Sequence, residues 1–128
     1  MEGNAMAERY AAPEVVGRKG SLGSTEWNWR RADGTYVLKV WQDRAYEFSG
    51  GWGLFSRKGD GLYNFADADG NLLSDEWFDD AERFGPDGGP ACVKSSGRAY
   101  NWLRRDGTYV LKDWAGWTEF FSQGWRLS

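Results

Sequence analysis

Alternating apolar and polar positions recur in three places, each time broken by an Asp-Gly or a short turn. "WNWRRADGTYVLKVWQDRAYEF" runs from Trp27 to Phe48, "YNFADADGNLLSDEWFDDAERF" from Tyr63 to Phe84, and "YNWLRRDGTYVLKDWAGWTEFF" from Tyr100 to Phe121. All three share one skeleton: aromatic, Asn, aromatic, an Asp-Gly pair, a Trp and a closing Phe. Trp27, Tyr63 and Tyr100 coincide, with steps of 36 and 37 residues, and so do Asn28, Asn64 and Asn101; Trp41, Trp77 and Trp114; Phe48, Phe84 and Phe121. Repetition at such a period marks a protein built from stacked units.

Strict alternation on both sides of an Asp-Gly predicts a β-hairpin with a two-residue type I′ turn. That register sets Arg31 opposite Tyr36, Trp29 opposite Leu38 and Trp27 opposite Val40, six side chains on one face, with Asn28 and Lys39 on the other. Further short strands through Trp41 to Phe48 and Trp52 to Arg57 complete a meander of three or four strands per copy. One copy cannot bury its apolar face alone, so neighbours must stack. The fold class is therefore all-β, an array of antiparallel hairpin or meander repeats, either an open solenoid or propeller-like. Residues 1–13 read as a flexible N-terminal segment, and 14–128 as a single domain with copies at about 27–62, 63–99 and 100–128. "EVVGRKG" (14–20) resembles "LFSRKG" (54–59) and "CVKSSG" (92–97), and is expected to supply the tail of a missing preceding copy.

Composition narrows the functional classes. A chain of 128 residues is the size of one domain. Its 9 Trp, 6 Tyr and 7 Phe can hold a strand-built core, and its 18 Gly fit many tight turns. A net charge of −3 argues against direct nucleic-acid binding, which needs clustered positive charge. Cys92 is the only cysteine, so no intrachain disulfide forms and a reducing, cytoplasmic setting fits. No apolar run is long enough for a membrane span, and no secretory signal is evident.

The absence of His removes the commonest general base and metal ligand, and no phosphate-binding glycine motif occurs. No catalytic residue, metal ligand or cofactor is assigned, and the protein is expected not to be an enzyme. "DADGN" (67–71) opens like a calcium loop, but Leu72 stands where Gly is required and Phe78 where a bidentate Glu is required, so it reads as a hairpin turn. Paired carboxylates for glycoside hydrolysis cannot be singled out from so many acidic residues.

Charge is unevenly spread. Between Tyr63 and Phe84, Asp67, Asp69, Asp75, Glu76, Asp79, Asp80 and Glu82 face only Arg83, whereas the other two copies are nearly balanced. Two readings follow. The acidic copy either pairs with Arg31 and Arg104 of its neighbours, or exposes Asp75, Glu76, Asp79, Asp80 and Glu82 to dock on a basic protein surface. Among the rings, Trp41, Trp77 and Trp114 read as packing residues, while Trp52, Trp117 and Trp125 are candidate exposed aromatics for a sugar or a quaternary amine.

The second copy, through Trp77-Phe78-Asp79, Phe84, Gly89, Ala91 and Val93, resembles the WG-repeat family, also called KWG repeats. The other two copies match less closely, since Gln42, Asp43, Ala115 and Gly116 replace parts of the motif. The resemblance implies an all-β array acting as an interaction module of bacteria and their phages, with no catalytic residues to carry over. A competing resemblance is to the aromatic repeats of choline-binding and glucan-binding surface proteins, whose unit is about half as long. The expected function is thus non-enzymatic binding of a protein partner. The alternatives are a small phage-type anti-defence inhibitor blocking the nucleic-acid site of a host enzyme, and an aromatic carbohydrate or choline binder. A homodimer through the C-terminal edge "SQGWRLS" (122–128) is also expected.

Overall fold

A computed structural model describes residues 11–95 and 99–116. The described residues contain no helix and nine strands: β1 (Glu14–Lys19), β2 (Thr25–Arg30), β3 (Arg44–Ala45), β4 (Gly53–Ser56), β5 (Tyr63–Ala66), β6 (Asp80–Ala81), β7 (Ala91–Lys94), β8 (Ala99–Leu103) and β9 (Ala115–Gly116). All pairings are antiparallel, in sheets ordered β1-β2, β3-β4-β5 and β6-β7-β8-β9. Bridges between Trp27 and Gln42 and between Tyr63 and Phe78 continue the meander from one sheet to the next. Nearly every strand thus pairs with its neighbour in sequence, as a chain of short apolar runs separated by glycine turns favours.

The Asp-Gly turns differ from the type I′ expectation. Gly34 N–H donates to Arg31 O (2.9 Å) and Arg31 N–H to Thr35 O (2.7 Å), which closes a three-residue loop. Only Gly34, with φ of 91°, is left-handed there, whereas type I′ would require Asp33 to be so as well. Asp33 keeps an ordinary backbone because its carboxylate accepts from Thr35 N–H (2.9 Å) and Thr35 Oγ1 (2.6 Å). Asp106 does the same with Thr108, at 3.0 and 2.6 Å. These bonds hold the carboxyls of Asp33 and Asp106 below their ordinary range, the threonine hydroxyl contributing most.

The longer loop shifts the ladder by one residue, which moves side chains to the opposite face. Arg30, not Arg31, lies opposite Tyr36, and Trp27 lies opposite Gln42 rather than Val40. The six-residue face anticipated from alternation therefore does not form. Trp29 is fully buried, while Tyr36 and Val40 remain 47% and 60% exposed.

Beyond the bridge the returning chain leaves the ladder, and an asparagine takes the place of the missing strand partner. Asn28 Oδ1 accepts from Leu38 N–H (3.0 Å), and its Nδ2 donates to Leu38 O (2.9 Å). Asn101 holds Leu111 in the same way, at 2.9 and 3.0 Å. Asn64 Nδ2 instead spans Ser74 O (2.9 Å) and Glu76 O (3.3 Å). All three asparagines are fully buried, a position a polar group tolerates only when its hydrogen bonds are met.

The core draws residues from neighbouring sheets. Ala66 joins Trp29, Val37 and Phe55 in one cluster, and Leu54 and Leu103 join Phe65, Phe78, Phe84, Ala91 and Val93 in another. Trp29 Nε1 donates to Tyr46 O (2.7 Å), and its ring meets Phe48 and Phe55 edge-on at 5.1 and 5.8 Å. Two of the Asp-Gly turns rest on backbone that precedes them. A Cβ added to Gly70 would lie 2.7 Å from Val37 O, and one added to Gly107 would lie 3.1 Å from Leu73 O.

β1 keeps the strand register of β4 and β7. Gly17 lies opposite Trp27 as Ser56 lies opposite Tyr63 and Lys94 opposite Tyr100. Arg18 accordingly caps the Trp41 ring at 4.3 Å, as Arg57 caps Trp77 at 4.2 Å.

Candidate acidic interaction surface

Asp75, Glu76, Asp79, Asp80 and Glu82 are all exposed. Buried Asn64 poses the first two by holding the carbonyls of Ser74 and Glu76, and Ser74 Oγ accepts from Glu76 N–H at 3.0 Å. The others lie on the run through β6, anchored to β7 by Asp79 N–H to Lys94 O (2.8 Å) and Glu82 N–H to Cys92 O (2.9 Å). Two residues apart on an extended chain, Asp80 and Glu82 project to the same side.

Arg31 and Arg104, the anticipated cationic partners, are held by their own hairpins. Arg31 Nη1 donates to Thr35 Oγ1 (3.0 Å) and Tyr36 O (2.9 Å), and its Nε to Ala68 O of the next turn (2.8 Å). Arg104 Nη1 donates to Thr108 Oγ1 (3.2 Å) and Tyr109 O (2.9 Å). Both guanidinium groups are thus directed to backbone carbonyls and threonine hydroxyls.

A groove of about 200 Å³ beside β6 is lined by Asp80, Ala81, Glu82, Cys92, Val93, Lys94 and Tyr100. Burial pushes the Cys92 thiol up to about 12, with Glu82 and Asp80 adding to the shift, so the sulfur stays protonated and poorly nucleophilic. Tyr109 donates to Glu76 Oε1 at 2.9 Å, and burial is the main reason its phenol rises to about 12. A second, shallower groove of about 610 Å³ lies between Val15, Ala45, Tyr46, Glu47 and Leu54 on one side and Ala81, Glu82 and Arg83 on the other. Glu82 borders both grooves.

Sequence reasoning did not find Tyr46, Lys94, Tyr100 or Tyr109 beside the acidic residues. Their proximity depends on strand pairing and on packing between sheets, for which the linear pattern carries no local signal. Of the three candidate exposed rings, Trp52 is half-buried and packs against the Leu54 cluster, a correction to its expected exposure. Trp117, Trp125 and the C-terminal edge 122–128 lie outside the described residues.

Among the described residues, no helix is long and apolar enough to cross a membrane. No family model, no curated protein and no solved structure matches this chain.

Proposed function

We propose that the three stretches form an open repeat array whose middle unit presents an acidic surface to a basic protein partner, and that the protein acts by binding, without catalysis. One observation carries this reading. Five carboxylates on one loop and strand are exposed, and Arg31 and Arg104 are held by their own turns. Recurrence of the asparagine brace and of the turn seated on the preceding unit supports an array. The WG-repeat resemblance points the same way.

A rigid sheet edge carrying clustered like charge steers an oppositely charged partner and rejects acidic ones, more than it adds affinity. Binding should accordingly weaken as salt rises. The test is capture from a lysate with the wild-type chain, and with a variant carrying Asp75→Lys, Glu76→Lys, Asp79→Lys and Asp80→Lys. A control reverses Asp43 and Glu47. The reading expects partners that elute with salt, are lost by the fourfold variant and are kept by the control. Retention of every captured partner by the fourfold variant would overturn it.

A further inference from the structure

An Asp-Gly pair can rearrange its own backbone, because glycine has no side chain to keep its amide nitrogen away from the neighbouring carboxyl. Such pairs stand at Asp33, Asp60, Asp69, Asp87 and Asp106. We propose that the folded protein carries one site of spontaneous covalent modification, Asp87-Gly88, where the aspartate converts to isoaspartate while the other four pairs are protected. The inference is independent of the binding reading above.

The step balances with water alone. The Gly88 nitrogen bonds to Cγ of the neutral Asp87 carboxyl, and the carboxyl hydroxyl leaves with the amide proton as water, closing a five-membered imide. Water then opens the ring at either carbonyl. Opening at Cγ restores Asp87. Opening at the backbone carbonyl breaks its bond to the Gly88 nitrogen and routes the main chain through Cβ and Cγ. Mass is unchanged, and nothing is oxidised or reduced. The attack needs a glycine N–H that is not already donated and a carboxyl free to turn and take up a proton.

Four pairs fail the first requirement. Gly34 N–H donates to Arg31 O (2.9 Å), Gly61 N–H to Arg57 O (3.0 Å), Gly70 N–H to Asp67 O (3.0 Å) and Gly107 N–H to Arg104 O (2.9 Å). Three of them fail the second as well. Thr35 and Thr108 each hold the preceding aspartate through both N–H and hydroxyl. Asp60 accepts from Arg57 Nε (2.8 Å) and Nη2 (2.6 Å) and from Leu62 N–H (3.1 Å), and the Arg57 guanidinium is the main reason its carboxyl is lowered to about 2. Asp69 lacks such a clasp among the described residues, but its glycine is both bonded and seated, since a Cβ at Gly70 would lie 2.7 Å from Val37 O.

Asp87-Gly88 differs on each count. Among the described residues Gly88 N–H has no acceptor, and a Cβ added to Gly88 would meet nothing within 4 Å. Both residues are exposed. The Asp87 carboxylate accepts one bond, from Gly89 N–H at 3.0 Å, which spans the Gly88 nitrogen without engaging it. The loop is anchored on either side, by Arg105 Nη2 donating to Gly85 O and by buried Ala91 in β7, so the residues between them absorb the longer backbone.

The test ages the full chain at neutral pH and body temperature for several weeks, folded in one sample and unfolded in concentrated urea in another. Trypsin releases residues 84–94, in which Asp87 is the only aspartate. Electron-transfer fragmentation of the peptides assigns isoaspartate to a position, and labelled methyl transfer from S-adenosylmethionine by an isoaspartyl carboxyl methyltransferase counts it independently. A hydrogen bond that must break before the attack slows it by roughly two- to tenfold. In the folded chain isoaspartate should therefore build up at Asp87 roughly tenfold faster than at the other four positions, whereas in urea the five rates converge. Asp87→Glu adds a methylene, so the five-membered ring no longer forms, and should remove most of the methyl acceptance of the folded chain. Comparable rates at all five positions in the folded chain, a different aspartate in the lead, or a preference for Asp87 that urea leaves unchanged overturns the proposal, the last by tracing the preference to flanking sequence instead of the fold.

Discussion

Replacing Asn28 by Ala tests the brace that holds the returning chain of the first copy. The substitution removes the donor to Leu38 O and the acceptor shared by Leu38 N–H (3.0 Å) and Trp29 N–H (2.7 Å). Each buried backbone group left unpaired costs roughly 1–3 kcal/mol, and Leu38 is half-buried, so water recovers part of the loss. The expected destabilisation is about 3 kcal/mol, a large share of the 5–15 kcal/mol on the order of which a domain is stable. Urea unfolding followed by tryptophan fluorescence should show the midpoint falling by roughly 1–2 M. Asn28→Asp separates bracing from mere filling of space. It keeps the acceptor but turns an oxygen toward Leu38 O, so it should cost more than Ala at neutral pH. Burial raises the folded pKa of the introduced Asp above its unfolded value of about 3.9. Its contribution is then retained below that value and lost as pH rises through the folded pKa, so the deficit should shrink on acidification. A loss below about 1 kcal/mol for Asn28→Ala, or an Asp variant as stable as wild type at pH 7, would refute the brace.

Gly34→Ala and Gly70→Ala impose similar left-handed strain, at φ of 91° and 89°, but only Gly70 would push a methyl against Val37 O. Gly70→Ala should therefore be the more destabilising by about 1–2 kcal/mol in a melt, and equal costs would refute the seating of the second turn. Cys92, with its thiol at about 12, should react with iodoacetamide at pH 9 several hundredfold more slowly in the folded than in the unfolded chain, roughly the ratio of thiolate fractions. Because that pKa is raised, its stabilising contribution is complete below about 9 and disappears as pH climbs toward 12; comparable labelling of both states would sink this assignment.

Much of the local organisation was legible because it is local. The spacing of Asn28, Asn64 and Asn101 and the Asp-Gly pairs locate the hairpins, and residues 14–20, singled out by their likeness to 54–59, contain β1. Turn type was not legible. An Asp-Gly serves both a type I′ turn and a type I turn followed by left-handed glycine, and the bond from Asp33 to Thr35 accompanies the second in the structure. That difference of one residue changed which face each side chain occupies.

A period-2 pattern says which residues share a face, but not which face a neighbour covers. By itself the sequence determined an all-β chain of hairpins with its negative charge gathered in the middle copy. Only the tertiary structure decided that the asparagine face is buried, that Arg31 reaches Ala68 instead of a carboxylate, and that Trp52 packs inward. Each of these depends on chain that strand pairing and stacking bring alongside, often a whole copy away in sequence. Burial is a property of what lies across a strand, whereas alternation is a property of the strand alone.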